Sequence, residues 1–280
     1  MRLTIWGCRG SVPAPGDATV RHGGNTSCVE VRLDDGSVLV LDAGTGLRPL
    51  GGDLAARGVR RLHLLLTHLH LDHLEGLRFF APLWDPGVTV DIWGPSSPVS
   101  TLQERIARSF SPPLFPLELR DIPARVTFRD VPRVPWSVAG LNLTASLVVH
   151  PGPTVGYRLD DGARVVAYIP DHEPALTGIG GRATQWISGA GIGEDADLLF
   201  HDAQYFPEEY ADRIGWGHSS VDAAVEFAHA VGARRLLLFH HEPEHSDADL
   251  ERLEQRAMTL SGGNGLETAI AREGMVVEVP

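Results

Sequence analysis

Short apolar runs separated by turn residues dominate the pattern of hydrophobic and polar positions. Their apolar content and β-branched residues predict strands in both halves of the chain. The runs of the first half are LTIWG, CVEVRL, VLVLDAG and LHLLLTH, and those of the second half are LNLTASLVVH, TVGYRL, ARVVAYIPD, DLLFHDA, RLLLFHH and MVVEVP. Two groups of strands with helical segments between them predict two packed sheets that helices cover on the outside.

Four segments between the strands predict helices, at 46–58, 98–110, 219–231 and 246–260. The clearest of them is SSVDAAVEFAHAVG, where valine and alanine recur at helical spacing from Val221 onward and predict one buried face. Ser219 or Ser220 can cap the start of this helix, and Gly232 can end it.

No linker, low-complexity tract or block of charge divides the 280 residues, so we expect one domain over residues 1–280. The Pro-rich stretch from Pro95 to Pro135 is expected to run irregularly over the surface, and a contribution to a pocket is the alternative. The chain is 43% hydrophobic and 21% charged, which is typical of a globular protein. No apolar run approaches the ~20 residues that a membrane span needs, so we expect no membrane contact.

The formal net charge of −12 disfavours a protein that holds long nucleic acids through its overall field. It leaves room for a small anionic substrate that a metal site attracts. Cys8 and Cys28 cannot form a disulfide framework and fit a reducing cytoplasm. The N-terminal MRLTIWGCRG has too few apolar residues for a signal peptide, so we expect a cytoplasmic protein. The sequence does not decide the oligomeric state, and a homodimer stays open.

The strongest chemical signal is THLHLDH, directly after a predicted strand. His68 and His70 alternate at the end of that strand, and Asp72 and His73 follow where the chain turns away. Imidazole and carboxylate groups are the ligands that Zn²⁺ prefers where no thiolates are present. Four such groups in six residues can reach two metal positions a few ångströms apart.

Three further side chains of the same kinds stand at the ends of other predicted strands, namely His150, Asp171 and His240. Their recurrence predicts an active site along one edge of the sandwich. Asp42, in LDAG, is predicted to brace the loop that carries the ligands. His172 and His241 stand next to predicted ligands, and the sequence leaves their roles open.

The order H-x-H-x-D-H, then His, Asp and His, resembles the metallo-β-lactamase superfamily of binuclear metallohydrolases. The resemblance implies an α/β fold, a four-layer αββα sandwich, with two Zn²⁺ per chain and Mn²⁺ as the alternative. It implies one metal held by His68, His70 and His150, a second held by Asp72, His73 and His240, and Asp171 as the bridge between them. The histidine at position 70 favours zinc hydrolysis, because the redox di-iron branch carries glutamate there.

Other segments resemble the ribonuclease Z-like phosphodiesterases, namely IWGCRGSVPAP, GGNTSCVEV, LVLDAGTG, LLFHDAQY and GHSSVDAAVEFAHAVGARRLLLFHH. In that branch a His–acid pair near the metals handles the scissile phosphate, and the matching positions are His218 and Asp202. His218 directly precedes the capping serines of a predicted helix. The free N–H groups and partial positive charge of a helix N-terminus suit a phosphate.

The chain departs from ribonuclease Z in one respect, since that enzyme grips tRNA with a long basic arm. Between Asp171 and Asp202 this chain has a short, nearly neutral segment, and no other part of it resembles such an arm. We therefore expect a small phosphodiester, such as a cyclic nucleotide or a short oligonucleotide, rather than tRNA. A water deprotonated at the metals would attack phosphorus. Asp72 would accept or orient its proton, and His218, held by Asp202, would stabilise the developing charge.

Two other functions stay open at the level of sequence. A carboxylic ester, thioester or lactone hydrolase would use the same metal ligands, although it would leave His218 and Asp202 without a role. A non-catalytic module that binds nucleotides or a protein partner would also retain the metals. Metal-dependent turnover of a generic phosphodiester would separate the three functions.

Overall fold

The computed structural model describes residues 1–174, 184–262 and 265–279. Within these residues the strands are β1 (Arg2–Gly7), β2 (Cys28–Arg32), β3 (Val38–Leu41), β4 (Arg61–Leu65), β5 (Thr89–Gly94), β6 (Arg125–Asp130), β7 (Trp136–Val138), β8 (Leu141–Leu147), β9 (Val155–Asp160), β10 (Val165–Ile169), β11 (Leu198–Asp202), β12 (Arg235–Phe239), β13 (Glu267–Ile270) and β14 (Val276–Glu278). The α-helices are α1 (Leu47–Ala56), α2 (Leu102–Ala107), α3 (Ala190–Gly193), α4 (Pro207–Tyr210), α5 (Val221–Ala230) and α6 (Asp247–Leu260).

The strands form two mixed sheets of similar design. The first has the order β14-β1-β2-β3-β4-β5-β6, and the second has the order β13-β12-β11-β10-β9-β8-β7. Strands β3 to β6 are parallel to one another in the first sheet, as are β10 to β13 in the second. Because the carboxyl ends of parallel strands meet at the same edge, the loops after these strands gather together and are placed to form a site.

Three apolar cores divide the structure into four layers. Between the sheets, Leu39 and Phe200 belong to one shared cluster of buried side chains. On the outer face of the first sheet, Leu50 of α1 packs in a second cluster, which also includes residues of α2. On the outer face of the second sheet, Val225 of α5 and Leu250 of α6 belong to a third. The layers therefore follow the order αββα, as the sequence predicts.

The predicted strands and helices are confirmed, with shorter bounds in places. The helix predicted at 98–110 spans only Leu102–Ala107, where Thr101 caps its start. The prediction of an irregular excursion from Pro95 to Pro135 is wrong in part, since this stretch contains α2 and β6. Strand β6 escaped prediction because it is an edge strand of RVTFRD, with charged residues at both ends and little burial.

Strands β5, β7 and β13 were also not predicted from the sequence. The last two are short, so they show little of the alternation that marks a strand. Residues 175–183, part of the short segment noted between Asp171 and Asp202, lie outside the described residues. Within the described parts of the chain, no helix combines the length and the apolar character that a membrane span requires.

Candidate metal centre

The loops at one edge of the two sheets bring the seven predicted ligands together. They form an outer cluster of His68, His70 and His150, and an inner cluster of Asp72, His73, Asp171 and His240. In each cluster every residue offers one ligand atom within 4.8 Å of the others. The two clusters differ in burial, because His70 is exposed whereas all four members of the inner cluster are buried.

Nitrogen and carboxylate oxygen atoms converge in the inner cluster. His240 Nε2 lies 3.2 Å from Asp72 Oδ2 and 3.2 Å from Asp171 Oδ2. His73 Nε2 lies 3.0 Å from Asp171 Oδ1 and 3.3 Å from Asp72 Oδ2. His73 Nε2 and His240 Nε2 are themselves 3.4 Å apart. This donor set and its convergence fit a divalent metal ion.

The outer cluster consists of three imidazoles that meet near Asp171. His150 Nε2 lies 3.2 Å from His70 Nδ1. Asp171 Oδ2 lies 3.7 Å from the Nε2 atoms of both His68 and His150, so this one carboxylate faces both clusters. The Nε2 atom of His68 is buried and has no hydrogen-bond partner among the described residues. A buried nitrogen of this kind calls for an explanation, and a bound cation supplies one.

At the outer cluster and at Asp171, the surroundings favour the protonation states that metal binding requires. Burial, and then the neighbouring His73, holds the pKa of His68 well below its usual value. Burial likewise lowers the pKa of His70 and His150. Burial alone would raise the pKa of Asp171, but the neighbouring histidines, first among them His240, hold it well below its usual value. The outer histidines are therefore neutral, with free lone pairs, and this carboxylate is ionised.

A buried carboxylate, Asp42, braces His73 as predicted. Its Oδ2 accepts a hydrogen bond from His73 Nδ1–H at 2.9 Å, which leaves Nε2 of that ring facing the inner cluster. Asp42 also accepts hydrogen bonds from the backbone N–H of Thr67 at 2.8 Å and from the hydroxyl of Tyr168 at 3.0 Å. Contacts of this kind fix the orientation of a metal-binding ring and its tautomer.

Two further braces of the inner cluster were not predicted from the sequence. Gln204 Oε1 accepts a hydrogen bond from His240 Nδ1–H at 3.1 Å, which again leaves Nε2 for the cluster. The backbone N–H of Ser11 donates to Asp72 Oδ2 at 2.7 Å. Gln204 lies in the segment HDAQY, in which the sequence indicates a role only for Asp202. Ser11 acts through its backbone N–H, so its side chain does not indicate the contact.

Backbone strain is concentrated at this site. Ser11, Asp42 and His240 all adopt left-handed backbone conformations, with φ of 60°, 59° and 59°. Residues other than glycine rarely adopt such angles, and they do so mostly where the structure needs them. Gly10 packs against the His240 ring so closely that a Cβ atom there would lie 2.3 Å from its Nδ1. The glycine of CRGSVP thus makes room for a predicted ligand.

His218 and Asp202 form a buried ion pair beside both clusters. His218 Nδ1 lies 2.7 Å from Asp202 Oδ2, so Nε2 is the ring nitrogen left for other contacts. The His218 ring stacks on that of His240 at 4.8 Å. Burial alone would lower the pKa of His218, but Asp202, through its charge and hydrogen bond, raises it to about 9. Ser220, two residues later, caps α5 by accepting a hydrogen bond from Ala223 N–H.

A loop before His218 fixes the outer cluster, and the sequence did not reveal it. The carbonyl of Gly217 accepts a hydrogen bond from His150 Nδ1–H at 2.8 Å. Glu173, which is buried, holds this loop by accepting hydrogen bonds from the N–H groups of Gly215 at 2.9 Å and Gly217 at 2.8 Å. It also accepts one from the hydroxyl of Tyr210 at 2.6 Å. The two glycines just before His218, Gly215 and Gly217, are a sequence signal for this loop, but no sequence feature indicates the role of Glu173.

His172 and His241 lie in the core rather than among the ligand groups. His172 Nδ1 is 2.9 Å from His201 Nε2, and His241 Nε2–H donates to the carbonyl of Ala271 at 2.8 Å. Burial, above all other causes, holds the pKa of each well below its usual value. Both histidines are therefore neutral, and they pack in the core beneath the loops that contain Asp171 and His240.

Comparison with known proteins identifies relatives over nearly the whole chain. Residues 38–241 match the family model described as Beta-lactamase superfamily domain. Ribonuclease Z of Haloarcula marismortui is 25% identical over 317 aligned positions, which cover 98% of this chain and 96% of that protein. Ribonuclease Z of Gemmatimonas aurantiaca is 27% identical, and the alignment covers 88% of each chain.

Solved structures show the same fold. The metallo-beta-lactamase fold protein YhfI from Bacillus subtilis superposes with a TM-score of 0.71 at 23% identity, over 99% of both chains. A diphosphatase from the PhnP family superposes with a TM-score of 0.69 at 20% identity, over 100% of this chain and 98% of that one.

Proposed function

The chain belongs to the β-lactamase superfamily of metal-dependent hydrolases, and we propose that it is a phosphodiesterase that acts on a small phosphodiester. The observation that carries the proposal is the buried pair of His218 and Asp202 beside the two clusters. A cationic imidazole there suits an anionic phosphate, whereas the hydrolysis of a neutral ester or lactone gives it no evident role. Two relatives that carry the name ribonuclease Z support phosphodiester chemistry.

The proposed ligands are the members of the two clusters. His68, His70 and His150 would hold one divalent ion, and Asp72, His73 and His240 a second, with Asp171 shared between them. We propose zinc, because imidazole and carboxylate donors without thiolate suit it, and Mn²⁺ is the alternative. Divalent ions bound there would lower the pKa of water and neutralise negative charge on the phosphate.

Side chains of the protein would move the protons. Asp72 Oδ2 is engaged by Ser11, His73 and His240, whereas Oδ1 takes part in no hydrogen bond with the described residues. We propose that Oδ1 accepts the proton of the attacking water. His218 Nε2–H would donate to a phosphoryl oxygen or to the leaving oxygen, while Asp202 holds the ring at Nδ1 and keeps it charged.

A small substrate fits the charge of the protein. With a net charge of −12, the chain lacks the positive field that helps proteins hold long nucleic acids. We therefore propose a cyclic nucleotide or a short oligonucleotide in the cytoplasm, and we do not expect efficient processing of precursor tRNA. Position-specific removal of tRNA 3′ trailers at a rate comparable with that on small diesters would overturn this part of the proposal.

Turnover by protein of defined metal content tests the proposed function. We expect bis(4-nitrophenyl) phosphate to be hydrolysed only when metal is present, with a metal content that approaches two ions per chain at full activity. Thioesters and lactones serve as competing substrates on the same preparation. Metal-dependent turnover of these, with no cleavage of any phosphodiester, would assign the site to the ester hydrolases instead. Full activity at one ion per chain would contradict the binuclear centre.

A further inference from the structure

A cavity of about 510 Å³ opens beside the outer cluster. His68 and His70 are among the residues that line it, so a molecule bound in the cavity lies against the outer cluster. The walls come from Leu71 after β4, from the stretch between β5 and β6, and from the loop at 151–153. Its volume lies within the range of small-molecule sites and exceeds what a phosphate group needs.

Apolar side chains line this cavity while remaining exposed. Leu71 is 63% exposed, Val99 is 87% exposed and Leu114 is 69% exposed. They come from separate segments of the chain, yet all three line the same cavity as Pro151 and Pro153. A single exposed leucine needs no explanation, but a group of apolar side chains around one opening indicates a surface that a ligand covers.

Two arginines of the same stretch differ in their availability. Arg105 is engaged by the protein, because it donates to the carbonyl of Pro95 and lies 3.8 Å from Asp130. Arg108 is exposed at the cavity and takes part in none of the ion pairs found among the described residues. Its guanidinium can therefore bind an oxygen-rich or anionic group of a ligand. Ser97 and Ser100 add hydroxyl groups to the lining.

We propose that this cavity is a specificity subsite for the retained ester arm of the substrate, and that it selects a nucleoside-sized aromatic arm. The proposal rests on the proposed phosphodiesterase function and names which diesters the site prefers. Leucine, valine and proline side chains would cover the faces of the ring system. Arg108 and the serines would meet its polar edge. A purely alkyl arm would make none of these polar contacts and would cover less of the apolar lining, so we expect it to bind less well.

A pair of substrates with the same leaving group tests the subsite. Thymidine 5′-(4-nitrophenyl) phosphate and methyl 4-nitrophenyl phosphate both release 4-nitrophenolate and differ chiefly in the retained arm. We expect kcat/KM to be at least about 10-fold higher for the thymidine ester, as filling a largely apolar pocket commonly gives. Equal values would overturn the subsite while leaving the phosphodiesterase intact. Absence of cleavage of both esters would instead contradict the proposed function itself.

Variants of exposed residues test whether the preference for the thymidine ester arises in this cavity. Leu114→Asp should reduce the preference for the thymidine ester to about 2-fold or less, while the rate on the methyl ester stays within about 2-fold of wild type. Val134→Asp is the matched control, because Val134 is 67% exposed and does not line the cavity. Arg108→Gln should lower the preference by about 3- to 10-fold. Arg120→Gln should leave it unchanged, because Arg120 is exposed, pairs with Glu118 and does not line the cavity. An unaltered preference in both Leu114→Asp and Arg108→Gln would overturn the proposal.

Discussion

The inner and outer clusters are built from the same residue types, yet the protein holds them in different ways. Three groups in the loops after β3, β11 and β1 hold the inner cluster in place, namely the side chains of Asp42 and Gln204 and the backbone N–H of Ser11. The outer cluster contains an exposed ligand, His70, and depends on the loop that ends at Gly217. Similar groups of histidine and aspartate side chains therefore lie in two different environments, one buried in the protein and one beside an open cavity.

This difference indicates a division of work between the clusters. The candidate ligands of the inner cluster are buried, and each of its two histidines donates its Nδ1–H to a fixed acceptor. We therefore expect this cluster to bind a metal ion more tightly than the outer one. Two residues of the outer cluster, His68 and His70, line the cavity in which we propose that part of the substrate binds. We expect the outer cluster to exchange its metal more readily, because solvent reaches His70 and the supporting loop contains two glycines.

Removing a histidine from the inner cluster is expected to have the largest effect on metal content and on the rate of hydrolysis. His240→Ala deletes the ring that contacts both Asp72 and Asp171, so we expect the loss of about one metal ion per chain. The rate of phosphodiester hydrolysis should fall by ~10³-fold or more, since a catalytic metal supplies several kcal/mol of charge stabilisation. Excess metal should not restore it. Elemental analysis and kcat/KM measure the two effects.

His70→Ala is the matched change in the outer cluster. We expect it to weaken metal binding there while excess metal restores part of the activity, because His68, His150 and Asp171 remain in place. Thermal unfolding of both variants checks that the fold is retained. Identical losses, equally resistant to added metal, would refute the proposed difference between the clusters.

Variants of His218 distinguish the proposed role of metal binding from the proposed role of contacting the phosphate. His218→Ala should leave the metal content of both clusters unchanged and lower the rate by about 10²–10³-fold. Asp202→Ala should act through the same pair, so the double variant should lose much less than the product of the single losses. Alkyl diesters should suffer more than aryl diesters, because a leaving group of low pKa needs little protonation.

His229→Ala is the matched control for this test. His229 lies in the last turn of α5, whereas His218 lies just before its start, and His229 is exposed. It should keep wild-type rates on both kinds of diester. If His218→Ala and Asp202→Ala did so too, His218 would be only a neighbour of the helix cap, and the phosphodiester assignment would lose its main structural support.

The contrast between the clusters also marks the limit of what the sequence predicts. Strands that are closely followed by histidine or aspartate, such as β4 and β12, indicate candidate ligands, because the apolar run stops where the polar residues begin. The brace at Asp42 was predicted because it too follows a strand. The roles of Glu173 and Gln204 were not predicted, since a buried side chain that accepts hydrogen bonds from residues far along the chain is recognisable only once the loops have been brought together.

The stretch between Pro95 and Pro135 illustrates a second limit. The many prolines of this stretch favour an irregular structure. The edge strand β6 is not evident from its sequence, because an edge position tolerates charged residues that a central strand excludes. The stretch also supplies Val99, Arg108 and Leu114 to the cavity. A contribution of this stretch to a pocket was left open, but exposed apolar residues in an irregular segment carry no periodic signal, so the sequence did not indicate which of them lie beside His70.

Glu173 tests whether the outer cluster depends on its supporting loop. Glu173→Ala leaves the N–H groups of Gly215 and Gly217 without an acceptor in a buried place, so the carbonyl that orients His150 should shift. We expect the affinity for the more weakly bound metal to fall by about 10–100-fold. The tightly bound metal should be unaffected. Titration of the metal-free protein measures both affinities, and an equal weakening of the two would point to a general loss of stability.

Glu173→Gln should give the smallest effect and shows what the loop requires. The carboxamide oxygen can take the place of Oε2 and accept from Gly217, while the amide group can donate to the hydroxyl of Tyr210. We therefore expect the weaker metal affinity to stay within about 5-fold of wild type, far above that of Glu173→Ala. If glutamine behaved like alanine, the negative charge of Glu173 would matter rather than its hydrogen bonds. In that case the loop would support the outer cluster through electrostatics and not through the position of the Gly217 carbonyl.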